Sequence, residues 1–434
     1  MIRKAWLNTV IANLVLLVTG MATGVLSARL LGPEGRGLLS AVTFWPMLVA
    51  GLATLSLPEA IVARSATIVR DAEAVGISAL LLGLLAGVSA VLILAPALTY
   101  LLGPERADFW FLALGFAIGW VPVWNANAIL VGLDQASRRF FNVNVLRIAP
   151  SLLYLSALCS LWITGNISVR AFAWAMLAAS VLALALRLLF GWRRLLGVPD
   201  KTTLAVLLSV GLRFHAHAVL RLLASQADRM VLLLAFSDAE VGHYVVATTF
   251  AQSGLAAVTS AVSFVLFPAM AAEPDRARAR ALLALWLRRT ALFLYLGVAA
   301  SLVLTPWLMP FVFGPAFTDA VPIAAILLLA MIPLALREII VRCLRAFGEA
   351  RIGVTSEGAS LAVFALAIGP LLLAAGPIGI AAATVLGQLA GLFVCARHLA
   401  SRHDIVPGTW LLPGREGVAD AVAIGRGLIT RAAA

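Results

Sequence analysis

The chain is short of charge. Asp, Glu, Lys and Arg make up 12% of its 434 residues, against about 25% in soluble domains. Acidic residues are the scarcer sign, 20 against 32 Lys plus Arg, and Lys occurs only as Lys4 and Lys201. With 62% hydrophobic residues and a mean hydropathy of +1.03, the composition excludes both a soluble globule and a disordered chain. Cysteine is nearly missing too: Cys159, Cys343 and Cys395 form no CxxC and no Cys/His metal spacing, which excludes a disulfide scaffold and the common zinc modules. There is no GxxxxGK[ST], so no ATP-driven cycle within the chain, and the glycines at 32, 35 and 37 do not make a dinucleotide fingerprint. The acidic pairs Asp71/Glu73, Asp238/Glu240 and Glu273/Asp275 have the look of metal-holding pairs in glycosyltransferases, but they sit in short loops with no soluble domain behind them. No catalytic residue, cofactor or metal is therefore expected.

What the sequence has is apolar runs. Twelve reach the roughly 20 residues needed to cross a bilayer: 9–30, 38–58, 75–99, 109–131, 143–163, 170–190, 209–235, 243–268, 290–313, 321–341, 353–375 and 377–396. The first follows Met1-Ile-Arg-Lys4 but shows no cleavage site, so it reads as a span rather than a signal peptide. A net charge of +12 would suit nucleic acid, yet the basic residues lie in short loops between spans. With the N-terminus in the cytoplasm, 26 of them fall on that side and 4 (Arg29, Arg36, Arg106, Arg170) on the other. One missed span would invert every later loop, so the asymmetry supports the count and places both termini in the cytoplasm. No nucleic-acid partner is expected; membrane lipids are.

The spans repeat. Gly32-Pro-Glu-Gly-Arg-Gly37 enters span two and Ser237-Asp-Ala-Glu-Val-Gly242 enters span eight, 205 residues later. Leu57-Pro58 and Phe267-Pro268 close those spans, and Gly132-Leu-Asp134 is echoed by Gly348-Glu349. A shared offset near half the chain implies two six-helix halves. The expected organisation is all-α and polytopic: bundles over 1–200 and 201–397, pseudo-symmetric about a central cavity, then a cytoplasmic tail, 398–434. Within that tail Val418–Ile429 is weakly amphipathic, a candidate surface helix.

Span seven carries the strongest functional signal: Arg213, His217, Arg221, Ser225 and Arg229 at strict i, i+4 spacing, with Asp228 beside them. Such a ladder stays on one flank of a helix. A charge at mid-bilayer costs about 2.5–3.5 kcal/mol, so Arg221 is expected to face protein or water, in a cationic cavity for polar or anionic cargo. Arg213 and Arg229 can instead snorkel to opposite interfaces. His217 is a candidate proton switch or a packing residue; His215, 200° away, cannot share a metal with it. Asp228 is read as an ion-pair partner of Arg221 or of another helix. Span one offers a matching stripe, Thr9, Asn13, Gly20, Thr23 and Ser27, ending at Arg29, and span eight a milder one, Thr248, Gln252, Thr259 and Ser263. Small and hydroxylated residues so spaced are packing glue or cavity lining. Glu59 and Glu357, at helix ends, are candidates for ion coupling or for simple pairing with Arg.

Taken together, Ala28-Arg-Leu-Leu-Gly-Pro-Glu-Gly-Arg-Gly37, Ala227-Asp-Arg-Met230, Gly242-His-Tyr244, Phe267-Pro268, Phe313-Gly-Pro315, Ala346-Phe-Gly-Glu349 and Gly376-Pro-Ile-Gly-Ile-Ala-Ala-Ala-Thr384 resemble the polysaccharide transporter family over about residues 10–400. That family, flippases of lipid-linked oligosaccharide repeat units, belongs to a superfamily with multidrug exporters and lipid II flippases. The resemblance implies a bacterial inner-membrane flippase. It would carry an undecaprenyl-pyrophosphate-linked oligosaccharide to the periplasmic leaflet by alternating access, for O-antigen, capsule or exopolysaccharide. A polysaccharide polymerase and export machinery would be its partners. Arg213, His217, Arg221, Arg229 and Arg29 enter only as members of a cationic cavity, since the family has no invariant site to transfer. The alternatives are a cation-coupled multidrug exporter, which calls for an acidic cavity, a lipid II flippase, which usually has fourteen spans, and a membrane enzyme such as a polymerase or ligase, which calls for a long outer loop.

Overall fold

A computed structural model of the protein describes residues 2–273, 275–349 and 351–411. Every regular element among them is helical: α1 (Ile2–Ala53), α2 (Leu57–Ala63), α3 (Ser65–Leu102), α4 (Trp110–Ala136), α5 (Phe140–Thr164), α6 (Val169–Gly191), α7 (Lys201–Ala235), α8 (Asp238–Ala272), α9 (Arg276–Phe313), α10 (Val321–Ala346) and α11 (Arg351–His403). The expected spans fall in these helices, two each in α1 and α11, except that the second, 38–58, crosses the Thr54–Ser56 turn into α2. The pairs are joined at Gly32 (φ 66°) and Gly376 (φ 56°), each followed by proline. Glycine reaches positive φ without strain, and proline has no N–H to continue the preceding turn. The chain therefore turns there while the helical run on either side survives. The protein is a multi-pass membrane protein. Helix extends into expected connections too: α9 begins at Arg276, so the basic stretch before span nine is its first turns rather than a loop.

The chain divides into two compact units, Met1–Val245 and Val246–Ala434. The first holds α1 to α7 and the start of α8. Leu57 and Ile61 of α2, Ala79 of α3, Ile129 and Leu133 of α4 and Leu207 of α7 form a core cluster at 2% exposure or less. Helices approach closely where side chains are absent: a Cβ on Gly132 would stand 2.9 Å from the Cα of Pro58. Two buried polar pairs cross between helices, which offsets the cost of removing them from water. Asn125 Nδ2 donates to Gly83 O at 3.0 Å, and Arg187 Nη1 of α6 bonds Asp134 Oδ2 of α4 at 3.0 Å.

The second unit packs Leu283 and Leu287 of α9, Leu336 and Ile340 of α10, and Cys395 and Leu399 of α11 into one core. Arg337 Nη1 bonds Glu357 Oε2 at 2.8 Å, and Gly391 makes room, since a Cβ there would lie 2.8 Å from Arg337 Cδ. Past α11 the chain folds back: Trp410 is fully buried, and the Tyr295 hydroxyl donates to Leu411 O at 2.8 Å. The tail thus begins as part of the bundle. Val418–Ile429 lies outside the described residues.

Candidate functional site

α7 is anchored at its ends and open along its middle. Its fully buried residues are Leu207, Gly211, Leu232 and Leu233; none of the residues between Gly211 and Leu232 is fully buried. The lower anchor is a backbone contact, with the Cβ position of Gly211 2.6 Å from Leu55 O. The upper anchor is Arg106, in the turn between α3 and α4. Its guanidinium donates to Asp238 Oδ1 (2.7 Å), Leu233 O (2.8 Å) and Phe236 O (2.9 Å), closing the α7–α8 turn. Arg106 is 6% exposed. Three acceptors, one of them the Asp238 carboxylate, make that burial bearable.

The open middle of α7 holds the ladder. Arg213, Arg221 and Ser225 are exposed; His217 and Arg229 are half-buried. No carboxylate pairs with Arg221 among the described residues. Asp228 instead accepts from the Tyr244 hydroxyl at 3.0 Å and from the Arg229 N–H at 2.8 Å, which fastens α7 to α8. Arg29 is exposed at the end of span one, and Glu59 is exposed in the first turn of α2. Glu357 is committed to Arg337 in the second unit. The ladder residues and Arg29 thus lie in the first unit with Asp228 and Glu59, whereas Glu357 belongs to the second.

The structure adds a residue that spacing did not select. Arg36, just past the Gly32 kink, lies within electrostatic reach of Arg229 and of Tyr154 on α5, and its Nε is buried without a hydrogen-bond partner among the described residues. Two guanidinium groups repel in a region of low dielectric, so the spot is suited to an anion. The span-one stripe divides. Asn13 accepts a short hydrogen bond from Arg147 Nη2 of α5, whereas Thr23 and Ser27 donate to carbonyls of their own helix, at Gly20 and Gly24. The side chains of Thr9, Thr259 and Ser263 lie outside the described residues. The signal for Arg36 in the sequence was its place in Gly35-Arg36-Gly37; a Cβ on Gly37 would meet Asp238 O at 1.7 Å, and one on Gly242 would meet Pro33 O at 2.0 Å. The two repeated motifs pack on each other, backbone to backbone, beside the arginine pair.

Two further polar locks sit at helix ends. Asp134 with Arg187 is one, and the other is Glu349, which follows α10 and faces His398 and His403 of α11. Burial pushes the Glu349 carboxyl up, but the hydrogen bonds from His398 and His403 outweigh it and hold the group below its ordinary value.

The sequence profile of a family described as "Polysaccharide biosynthesis protein" matches residues 26–322, more than half the chain. No curated protein sequence matches it. Among solved structures, the lipid II flippase MurJ in an inward closed conformation superposes with a TM-score of 0.76 at 14% identity, covering 90% of this chain and 87% of that one. A MATE transporter from Vibrio cholerae gives 0.61 at 16%, covering 93% and 97%. A superfamily transporter from Pyrococcus furiosus, whose binding pocket is described as of reverse polarity, gives 0.63 at 16%, covering 93% and 95%. At such identities the likeness shows the fold: that of the flippases and exporters of one superfamily.

Proposed function

This chain belongs to the polysaccharide biosynthesis family matched over residues 26–322, and from that premise we propose that it is a flippase for lipid-linked oligosaccharides rather than an enzyme. It works in the bacterial inner membrane with both termini in the cytoplasm. Its cargo is an undecaprenyl-pyrophosphate-linked oligosaccharide of a surface polysaccharide pathway, moved to the periplasmic leaflet by alternating access. The observation that carries this reading is the open, basic flank of α7, with Arg221 at mid-helix and Arg229 beside Arg36 at the outer end. A pyrophosphate diester gives such a flank what it lacks, negative charge in a water-poor setting, where charge-assisted hydrogen bonds are strong. His217 and Arg213 continue the flank toward the cytoplasmic end, and Arg29 lies at the outer end of span one. The lipid tail stays in the bilayer throughout. In this reading the six-span halves, 1–200 and 201–397, are the two bodies that such a cycle rocks. A cation-coupled exporter would require acid where this flank is basic.

The test is a deletion strain in which the lipid-linked oligosaccharide is traced by leaflet, using a periplasmic sugar-modifying enzyme. The expected result is full-length oligosaccharide that accumulates out of the enzyme's reach. Restoring the chain should cure it, and restoring Arg221→Glu or Arg36→Ala, at equal protein level, should not. Shortened oligosaccharide would assign the chain to synthesis, and normal, accessible oligosaccharide would end the proposal.

A further inference from the structure

Outside the cationic flank, one cluster in the second unit has no role in transport as argued above. Glu349 stands in the turn after α10, directly after Gly348 (φ 83°). His398 and His403 occupy the last turns of α11. Their Nε2 atoms point at one carboxylate oxygen, Glu349 Oε2, at 2.5 and 3.2 Å, and all three ligand atoms lie within 4.8 Å of one another. Among the described residues this is the one group of three or more His, Cys, Asp or Glu so gathered.

The comparison with the first unit is informative. There the carboxylate that ends the fourth span, Asp134, meets Arg187 of the sixth span, a partner that cannot coordinate a metal. At the matching place in the second unit the carboxylate that follows span ten meets two imidazoles from the end of α11, just past span twelve. If fastening two helices were the whole task, one guanidinium would suffice, as it does in the first unit. Two imidazoles add donor atoms instead. Two histidine nitrogens and one carboxylate oxygen, with a fourth position left to water, is a zinc donor set. Zinc–ligand bonds of about 2.0–2.1 Å at tetrahedral angles place neighbouring ligand atoms about 3.3 Å apart. The His403–Glu349 separation is already there, and the His398–Glu349 separation needs to widen by less than about 1 Å. The rings are held for it. Phe347 stacks on His403, with centroids 5.4 Å apart and planes at 23°, and His403 is only 9% exposed. Glu349 and His398, at 33% and 26% side-chain exposure, leave an approach from solvent.

We propose that Glu349, His398 and His403 bind one divalent transition-metal ion of the zinc class, which staples the α10–α11 turn to the end of α11. The sequence concealed this site because its histidines are five residues apart, not three or four, and its carboxylate comes 49 residues earlier.

The test uses the full chain in detergent, without an affinity tag, stripped with chelator and titrated with Zn2+ by calorimetry and with Co2+ by visible absorption. One equivalent per chain, the d–d bands of tetrahedral Co2+, and a rise in Tm on adding Zn2+ are expected. His403→Ala and Glu349→Gln should abolish all three. His398→Gln, which keeps a hydrogen-bond donor toward Glu349, should retain the metal-free Tm yet lose the Co2+ bands, separating coordination from folding. Absence of stoichiometric binding by the unaltered chain would overturn the proposal, as would binding that survives in the variants.

Discussion

Asp134 and Arg187 have side chains 7% and 3% exposed, and their ion pair offsets the cost of burying both charges. Removing one partner takes a charge-assisted bond from a second charged group that stays buried. Arg187→Ala and Asp134→Ala are each expected to lower stability by about 3–5 kcal/mol, as unfolding in detergent would register. The double variant Asp134→Leu with Arg187→Met should recover most of that loss; if it is no better than the singles, packing rather than charge governs the site. Asp200 presents the opposite case, an exposed carboxylate at the N-cap of α7. The Thr202 hydroxyl, followed by the Thr203 N–H and hydroxyl, lowers its carboxyl to about 2. A depressed carboxyl stabilises the fold fully above its unfolded value of about 3.9 and ceases to do so as pH falls through the folded one. The Tm difference between the protein and Asp200→Ala should therefore be constant near neutrality and shrink as pH drops from about 4 toward about 2. A difference that persists at the acid end would mean that the carboxylate charge is not what caps the helix.

At the scale of elements, what was legible followed from solvent. The bilayer demands long apolar runs, so the twelve spans could be read directly, and Gly32-Pro33 and Gly376-Pro377 marked where a run turns. Partners were not legible, because a charge on one helix is matched by a charge on another. Spacing along α7 showed that Arg221 and Arg229 share a flank; it could not show that Asp228 would turn to Tyr244, that Glu357 would be taken by Arg337, or that Arg36 would lie by Arg229. The repeated glycine motifs fall between these cases: their recurrence was legible and their mutual contact was not. That contact makes a prediction. Gly37 and Gly242 face backbone atoms at distances where no Cβ fits. Gly37→Ala or Gly242→Ala should part the α1 kink from the start of α8. A cysteine placed at Ser237 should then react faster with a membrane-impermeant thiol reagent. Unchanged labelling would show that neighbouring backbone absorbs the methyl group.

For the whole molecule, the proposed flippase must pass between states, so contacts that hold one end of its first unit together must be breakable at modest cost. Arg106 is the strongest of these in the first unit, bonded to Asp238 and to two carbonyls of the α7–α8 turn. Hydrogen bonds to a charged group are worth about 1.5–3 kcal/mol each. Removing even one net bond of that size should shift an equilibrium between two states by about tenfold or more. Arg106→Ala is therefore expected to raise labelling of a cysteine at Ser237 and, under the proposed function, to slow delivery of oligosaccharide while leaving its synthesis intact, because a cycle biased to one state returns poorly to the other. Asp238→Asn keeps the hydrogen-bond geometry but removes the charge, so its effect should be smaller and of the same sign. Should Arg106→Ala lower protein abundance in proportion to transport, with labelling per molecule unchanged, the clamp serves assembly alone and the moving contact lies elsewhere.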